Sequence, residues 1–548
     1  MSTSLPDPPP SHDLPMDPVL VLTQRRVKNL QITVKKPLLF LTSLCALLDA
    51  SGEPRATEGS ASSSQRATEG SASSSQRATE GSASSSQRAT EGSASPPPNI
   101  VLILADDLGY GDCGVTNPES KIKTPHIDQL AKEGLSFSDA HSAASTCTPS
   151  RYGLLTGINP VRTGVLNTLL AKGKPIISEK EKTLAHLLKD QGYATHMIGK
   201  WHLGFDMDGK KKDFDLDQAF IGGPIDRGFD SFFGIHSSPG AFPLFYLKDR
   251  KAVAKPSEKT SWVKMKIGGG TATIHGLKSP DFELDEASPT FCQRAVELIK
   301  NHADTNTDQP FFLYYASPIP HSPWVPSNAF KGKSGHGDYA DFVMQLDDIV
   351  GKINQALKDT GLDQNTLLIF TSDNGPGPHA TRLMAKKDHL SAGPLRESKA
   401  SIYEGGHRVP FIAKWPEKVS AGTQTNATIN FTDFFATLAK LFKADLATTY
   451  PSATDSHSFL PVLLGVPDDH LRPAMINGSY SIRQGPWKLS SKGNKKRADV
   501  TKIKTGQFEL HNLADDLAEQ HDLSEDQPKK AKQLLDQLQT FIKQRSLK

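Results

Sequence analysis

An α/β fold with a mostly parallel central sheet is the expectation, and two observations carry it. Residues 100–104, 311–316 and 366–370 are apolar runs without the polar alternation of a half-exposed strand, so they read as strands buried on both faces. Residues 287–302 and 340–360 have helical periodicity and suit the layers that cover such a sheet. A third observation sets off a small C-terminal unit. After Leu463-Leu464-Gly465 the texture changes: 475–488 and 507–513 read as short strands, and 527–544 as an amphipathic closing helix.

Taken in order, residues 1–52 form an N-terminal extension. Lys35 and Lys36, the apolar run 38–48 and the small residues Ala50-Ser51-Gly52 read as a secretory signal, which would place the mature protein in the periplasm or outside the cell. The run is shorter than the ~20 apolar residues a spanning helix needs, so no transmembrane span is expected. Residues 53–98 carry four copies of the unit Arg-Ala-Thr-Glu-Gly-Ser-Ala-Ser-Ser-Ser-Gln, the last one cut short. The unit has almost nothing apolar to bury and reads as a disordered, flexible linker. The main domain is expected over 99–465 and the C-terminal subdomain over 466–548.

The chain has 548 residues, 36% hydrophobic and 22% charged, enough for more than one domain. A net charge of +3 argues against nucleic acid as the main partner. Four cysteines, Cys45, Cys113, Cys147 and Cys292, are too few for a disulfide framework, and the count leaves open one Cys113–Cys292 bridge.

The strand ends carry the chemistry, as expected of open α/β sheets. Run 100–104 ends in Ala105-Asp106-Asp107, and run 366–370 in Thr371-Ser372-Asp373-Asn374-Gly375. Asp106, Asp107, Asp373 and Asn374 make an all-oxygen set without thiolate or imidazole, which suits Ca²⁺ or Mg²⁺ and not Zn²⁺. A strand over 193–198 ends in Gly199-Lys200-Trp201-His202-Leu203-Gly204. In extended backbone Lys200 and His202 share a face, one a fixed cation and the other a proton carrier near neutral pH. Run 311–316 leads into Pro320-His321-Ser322-Pro323, and Lys399 precedes Tyr403-Glu404-Gly405-Gly406-His407-Arg408-Val409-Pro410. His407 reads as a packed loop residue.

One stretch organises these parts: Ser145-Thr146-Cys147-Thr148-Pro149-Ser150-Arg151-Tyr152-Gly153-Leu154-Leu155-Thr156-Gly157. Pro149 suits the first position of a helix and Gly157 its stop. Cys147 then stands at a helix N-terminus, where unpaired N–H groups favour anions, and Arg151 adds a fixed cation. A sulfur nucleophile in that setting points to a tetrahedral anion as ligand.

Cys147-Thr148-Pro149-Ser150-Arg151 followed by Leu154-Leu155-Thr156-Gly157 resembles the signature of the type I sulfatases, and the Gly-Lys-Trp-His-Leu-Gly, Pro-His and Glu-Gly-Gly blocks resemble further motifs of that family, in the same order. The Glu397-Ser398 pair departs from it, because glycines are common there in the family. The resemblance implies a three-layer α/β sandwich like alkaline phosphatase, with a small C-terminal antiparallel sheet. It implies hydrolysis of sulfate monoesters, aryl or carbohydrate, by a gem-diol nucleophile from Cys147 oxidised to formylglycine by a formylglycine-generating enzyme. It implies one divalent cation, usually calcium, held by Asp106, Asp107, Asp373, Asn374 and position 147. Arg151, Lys200 and Lys399 would mask the sulfate, His321 or Lys399 would protonate the leaving alcohol, and His202 would release sulfate as the aldehyde reforms.

Two other readings stand beside this one. Phosphonate monoester and phosphodiester hydrolases of the same superfamily use a similar Cys-x-Pro-x-Arg, and a non-catalytic binder of sulfated glycans would keep the pocket. Residues 205–290 read as an elaboration above the sheet, with lysines and with Phe242, Phe245, Tyr246 and Trp262 as candidate contacts to a sulfated sugar or polysaccharide.

Overall fold

The structure, a computed structural model, describes residues 96–169, 173–206, 215–265, 271–305, 308–466, 472–494 and 505–545. The secretory signal and nearly all of the repeat linker lie outside the described residues.

The central sheet has ten strands; from one edge to the other they begin at residues 423, 135, 411, 366, 99, 311, 194, 231, 247 and 251. The middle five, Thr366–Ser372, Asn99–Ala105, Phe311–Ala316, Ala194–Lys200 and Ser231–Ile235, run parallel. Their apolar composition follows from double burial. Ile100, Leu102 and Leu104 pack with Tyr152, Leu155, Leu188 and Phe435 on one face. Val101, Ile103 and Ala105 pack with Leu130, Phe291, Leu346 and Ile353 on the other. Alternate side chains of one strand thus feed two cores, and the helices beyond them complete three layers. The helices expected over 287–302 and 340–360 are Ala287–Asp304 and Asp338–Asp359, both on the second face.

The C-terminal residues form a four-stranded antiparallel sheet, Met475–Ile476, Ser481–Gln484, Trp487–Ser491 and Phe508–Asn512. Helix Pro528–Arg545 closes it, burying Leu534, Leu535 and Leu538 against Ile482, Leu489 and Leu510.

Three expectations are corrected. Cys113 and Cys292 are both free and buried; each serves as a small apolar side chain in the second core. Phe245 and Tyr246 are buried in the two cores, one on each face of the sheet, because they lead directly into strand Leu247–Lys248 at its edge. Helix Cys147–Thr156 starts two residues before Pro149, which therefore sits third. The position still suits proline, since the first turn's N–H groups lack helical partners. Gly157 ends the helix at φ 69°, as its left-handed conformation requires.

Candidate active site

Register brings the acidic residues together. Ala105 pairs with Ser372 across the central strands, so the next residues on each, Asp106 and Asp373, emerge side by side at the carboxyl edge. The backbone N–H of Asp107 donates to Asp373 Oδ1 at 3.3 Å, and Asn374 Nδ2 donates to Asp107 Oδ1 at 2.7 Å. Asp107 turns there with φ 70°, a left-handed conformation unusual outside glycine and typical of functional sites.

The Cys147 helix runs up to this cluster from the other side. Ligand atoms of Cys147, Asp106 and Asp373 all lie within 4.8 Å of one another. Arg151 is fully buried and braced: Nε donates to Asp373 Oδ2 at 2.9 Å and Nη1 to the Lys200 carbonyl at 3.1 Å. Its Nη2 also lies 3.8 Å from Asp106 Oδ2. Lys200 Nζ donates to Asp106 Oδ2 at 2.5 Å. Lys399 Nζ donates to Asp107 Oδ1 at 2.5 Å and lies 3.7 Å from Cys147 Sγ. His321 Nε2 stands 3.8 Å from Asp107 Oδ2. All the candidate residues except His202 thus meet through one set of carboxylates.

His202 reaches the site by a different route from the one expected. The strand ends at Lys200, and His202 follows at φ 57°, so the two do not alternate along an extended chain. Instead the Thr148 hydroxyl donates to the His202 carbonyl at 3.2 Å, and His202 Nε2 meets the Leu169 carbonyl at 3.1 Å. A carbonyl only accepts, so Nε2 carries the proton and Nδ1 is left as the basic nitrogen. That Nδ1 is buried with no hydrogen-bond partner. Burial, with Lys200 and Arg151 adding to it, pushes the imidazole well below its usual range.

The titration of the cluster follows from crowding. Burial and the Asp106 carboxylate push Asp373 up to about 7 against the pull of Arg151 and Lys200. Burial would raise Asp106 too, but Lys200, His321, Arg151 and Lys399 together hold it below the carboxylate range. Burial works against the Lys399 ammonium, yet Asp107, Cys147 and Asp106 raise it above the ordinary lysine value. His321 is lowered by burial, with Asp107 and Asp106 resisting.

The donor set fits a hard divalent cation. Asp106 Oδ1 and Asn374 Oδ1 are both buried and lack a hydrogen-bond partner, and a bare buried oxygen is the ligand such an ion takes. A second acidic and imidazole group, His141, Glu404 and His407, is ringed instead by Arg408, Arg483 and Lys488, which supply the positive charge themselves. His407 is accordingly a packed residue: it is fully buried, 2.9 Å from His141 Nδ1.

Supporting residues were missed in the sequence. The loop bearing Lys399 is held at both ends by C-terminal residues, from the small sheet and the segment after it. Arg396 Nη1 donates to the Glu519 carbonyl at 2.8 Å and lies 3.2 Å from Glu509 Oε2. Glu404 receives Lys488 Nζ at 2.9 Å, and Lys488 also pairs with Glu519 at 2.9 Å. Within the loop Glu397 takes φ 61°, the physical reason glycine suits that position. Replacing Lys488 by methionine should leave the buried Glu519 carboxylate without its cation, while Glu404 keeps Arg408, and cost about 3–5 kcal/mol, read as a lowered urea midpoint. An unchanged midpoint would mean that the buried pairs are not holding the subdomain.

Carboxylates and fixed cations converge here on a buried nucleophile at a helix N-terminus, at the carboxyl edge of a parallel sheet. The arrangement is that of a site for an anionic group, with a donor set that a hard cation would fit. The family model for Sulfatase matches residues 98–444. An N-acetylgalactosamine-6-O-sulfatase of Bacteroides thetaiotaomicron is 33% identical over 489 residues, covering 81% of this chain and 93% of that protein. Human arylsulfatase A is 36% identical over 414 residues, covering 72% and 74%. A solved structure from work on glycosaminoglycan metabolism in B. thetaiotaomicron aligns with a TM-score of 0.72 at 30% identity, over 82% of this chain and all of that one. The chain belongs to the sulfatase family and is a sulfuric ester hydrolase of alkaline-phosphatase-like fold. Among the described residues no helix is long and apolar enough to cross a membrane.

Proposed function

We propose that the protein hydrolyses sulfate monoesters of carbohydrates, with Cys147 matured to formylglycine and one calcium ion held by Asp106, Asp107, Asp373, Asn374 and position 147. The observation that carries this reading is the meeting of Cys147 Sγ with Asp106 and Asp373 inside 4.8 Å, with Lys399 Nζ at 3.7 Å. The thiol stands in for the hydroxyls of the hydrated aldehyde. Bound there, the cation would supply Lewis-acid stabilisation of the sulfate charge and a lowered pKa at the attacking hydroxyl.

The chain's own groups do the rest. Arg151, Lys200 and Lys399 mask the sulfate and hold it most tightly as charge shifts toward the leaving oxygen. Asp373, whose carboxyl burial and the Asp106 charge push upward, accepts the proton of the nucleophile. His321 gives a proton to the departing alcohol, and Lys399, kept charged by its carboxylate neighbours, stabilises that oxygen beside it. His202 offers Nδ1 to the second hydroxyl, because Nε2 is committed to the Leu169 carbonyl. The leader sequence directs the enzyme to the periplasm or beyond, and a formylglycine-generating enzyme completes it.

Maturation is tested by the mass of tryptic peptide 133–151 from the native host. A peptide lighter by the exchange of thiol for aldehyde supports the reading; an unmodified thiol in active protein refutes it. Parallel assays on an aryl sulfate and an aryl phosphonate diester separate the sulfatase from the phosphonate hydrolase. Asparagine tolerates the left-handed backbone at position 202, so His202→Asn should keep the fold. It should lower steady turnover about 10²–10⁴-fold and leave a burst of one alcohol per active site. Steady turnover at the wild-type rate would remove His202 from the mechanism.

A further inference from the structure

Two cavities open on Lys399. One, of about 220 Å³, is lined by Asp107, His321, Trp324 and His379 among others. The second, of about 470 Å³, is lined by Arg382 and Glu397 among others. They share Pro378 and Lys399, so the second adjoins the first at Lys399.

Helix Pro378–Ala385 forms the common wall. Ala380 and Met384 are buried beneath it. His379 and Arg382, one turn apart, present their polar ends together: Arg382 Nη2 lies 3.3 Å from His379 Nδ1. Lys386 follows four residues after Arg382, and both are exposed. The row from 379 to 386 covers about 10 Å of helix. Among the described residues no carboxylate lies within ion-pairing distance of Arg382. Glu397 is the one acid lining the second cavity.

A fixed, bidentate cation at the end of a cleft that starts at the catalytic lysine has a simple chemical complement. We propose that this helix face is a subsite for a second anionic group of the substrate. The group is a sulfate or uronate carboxylate on the saccharide next to the one bearing the scissile sulfate. Arg382 grips that group, braced by His379, Lys386 extends the favourable field along the chain, and Glu397 opposes it from the facing loop. The substrate class is therefore an oligo- or polysaccharide with anionic groups on neighbouring units. This inference rests on the sulfatase reading.

The test uses the matured full chain and three substrates. They are an aryl sulfate, an oligosaccharide with one sulfate and a neutral neighbour, and the same oligosaccharide with a uronate or a second sulfate on the neighbour. Arg382→Ala should raise KM for the acidic oligosaccharide about tenfold relative to the other two, with kcat little changed. Glu397→Gln should lower that same KM, and high salt should erase both effects. Binding to a Cys147→Ala background should give the same ratio as a Kd, free of chemistry. Equal changes for all three substrates, or none, overturn the subsite. The uronate and disulfate arms tell which anion it takes. Failure of the wild type to release sulfate from any of the three substrates counts against the sulfatase reading itself, and the Kd ratio still judges the subsite.

Discussion

Cys147→Ser ends steady turnover, by a factor on the order of 10⁶, the scale seen when a covalent nucleophile is lost. The residual chemistry is as informative as the loss. Serine offers one hydroxyl in the place where the proposed aldehyde hydrate offers two. After one attack the sulfate is an ester of an ordinary alcohol, and His202 Nδ1 has no second hydroxyl to deprotonate. The variant should therefore keep at most one sulfate per molecule, seen as a stable mass increase on peptide 133–151, and release one alcohol and no more. The substitution is small, at a side chain only 1% exposed, so stability should be nearly unchanged. Sustained turnover by the serine variant would sink the formylglycine mechanism while leaving the family assignment intact.

Exhaustive chelation should abolish activity and lower the melting temperature by a few degrees. Three carboxylates, Asp106, Asp107 and Asp373, crowd one corner, each in close contact with a fixed cation: Lys200, Lys399 and Arg151 respectively. Those bases leave Asp106 Oδ1 and Asn374 Oδ1 unsatisfied, at a cost of about 1–3 kcal/mol for each such buried atom. An ion that takes both should stabilise the fold by about 2.7 kcal/mol when present at a hundred times its Kd. Calcium or magnesium should restore activity, and zinc should not, because this oxygen set lacks the nitrogen and sulfur ligands zinc favours. Full activity and an unshifted transition in chelator would refute the metal assignment.

The strand ends were legible because they obey rules that act locally. A doubly buried strand must be apolar throughout, so the polar residues that break it, Asp106 and Asp373, announce the sheet's edge. The Cys147 helix was legible from its stop at Gly157 and misread by two residues at its start, where proline fits several positions equally. His202 was assigned to the site but by the wrong geometry, since nothing in Lys-Trp-His reveals a residue at positive φ. The clamp on the Lys399 loop was invisible. Arg396, Glu404, Lys488 and Glu519 look like ordinary surface charges in sequence, and only the docking of the C-terminal sheet turns them into buried pairs. Phe245 and Tyr246 were illegible for a similar reason: an aromatic that enters a core and one that lines a pocket look alike in a loop of mixed composition.

That clamp also sets an order in time. The loop carrying Lys399 is made before the residues that fasten it, Lys488, Glu509 and Glu519, leave the ribosome. Cys147 is made earlier still and ends almost wholly enclosed. On the proposed maturation, a converting enzyme would have to meet Cys147 before the folded domain encloses it, so folding and conversion would compete for the same chain. Variants that slow folding would then yield a larger fraction of converted molecules.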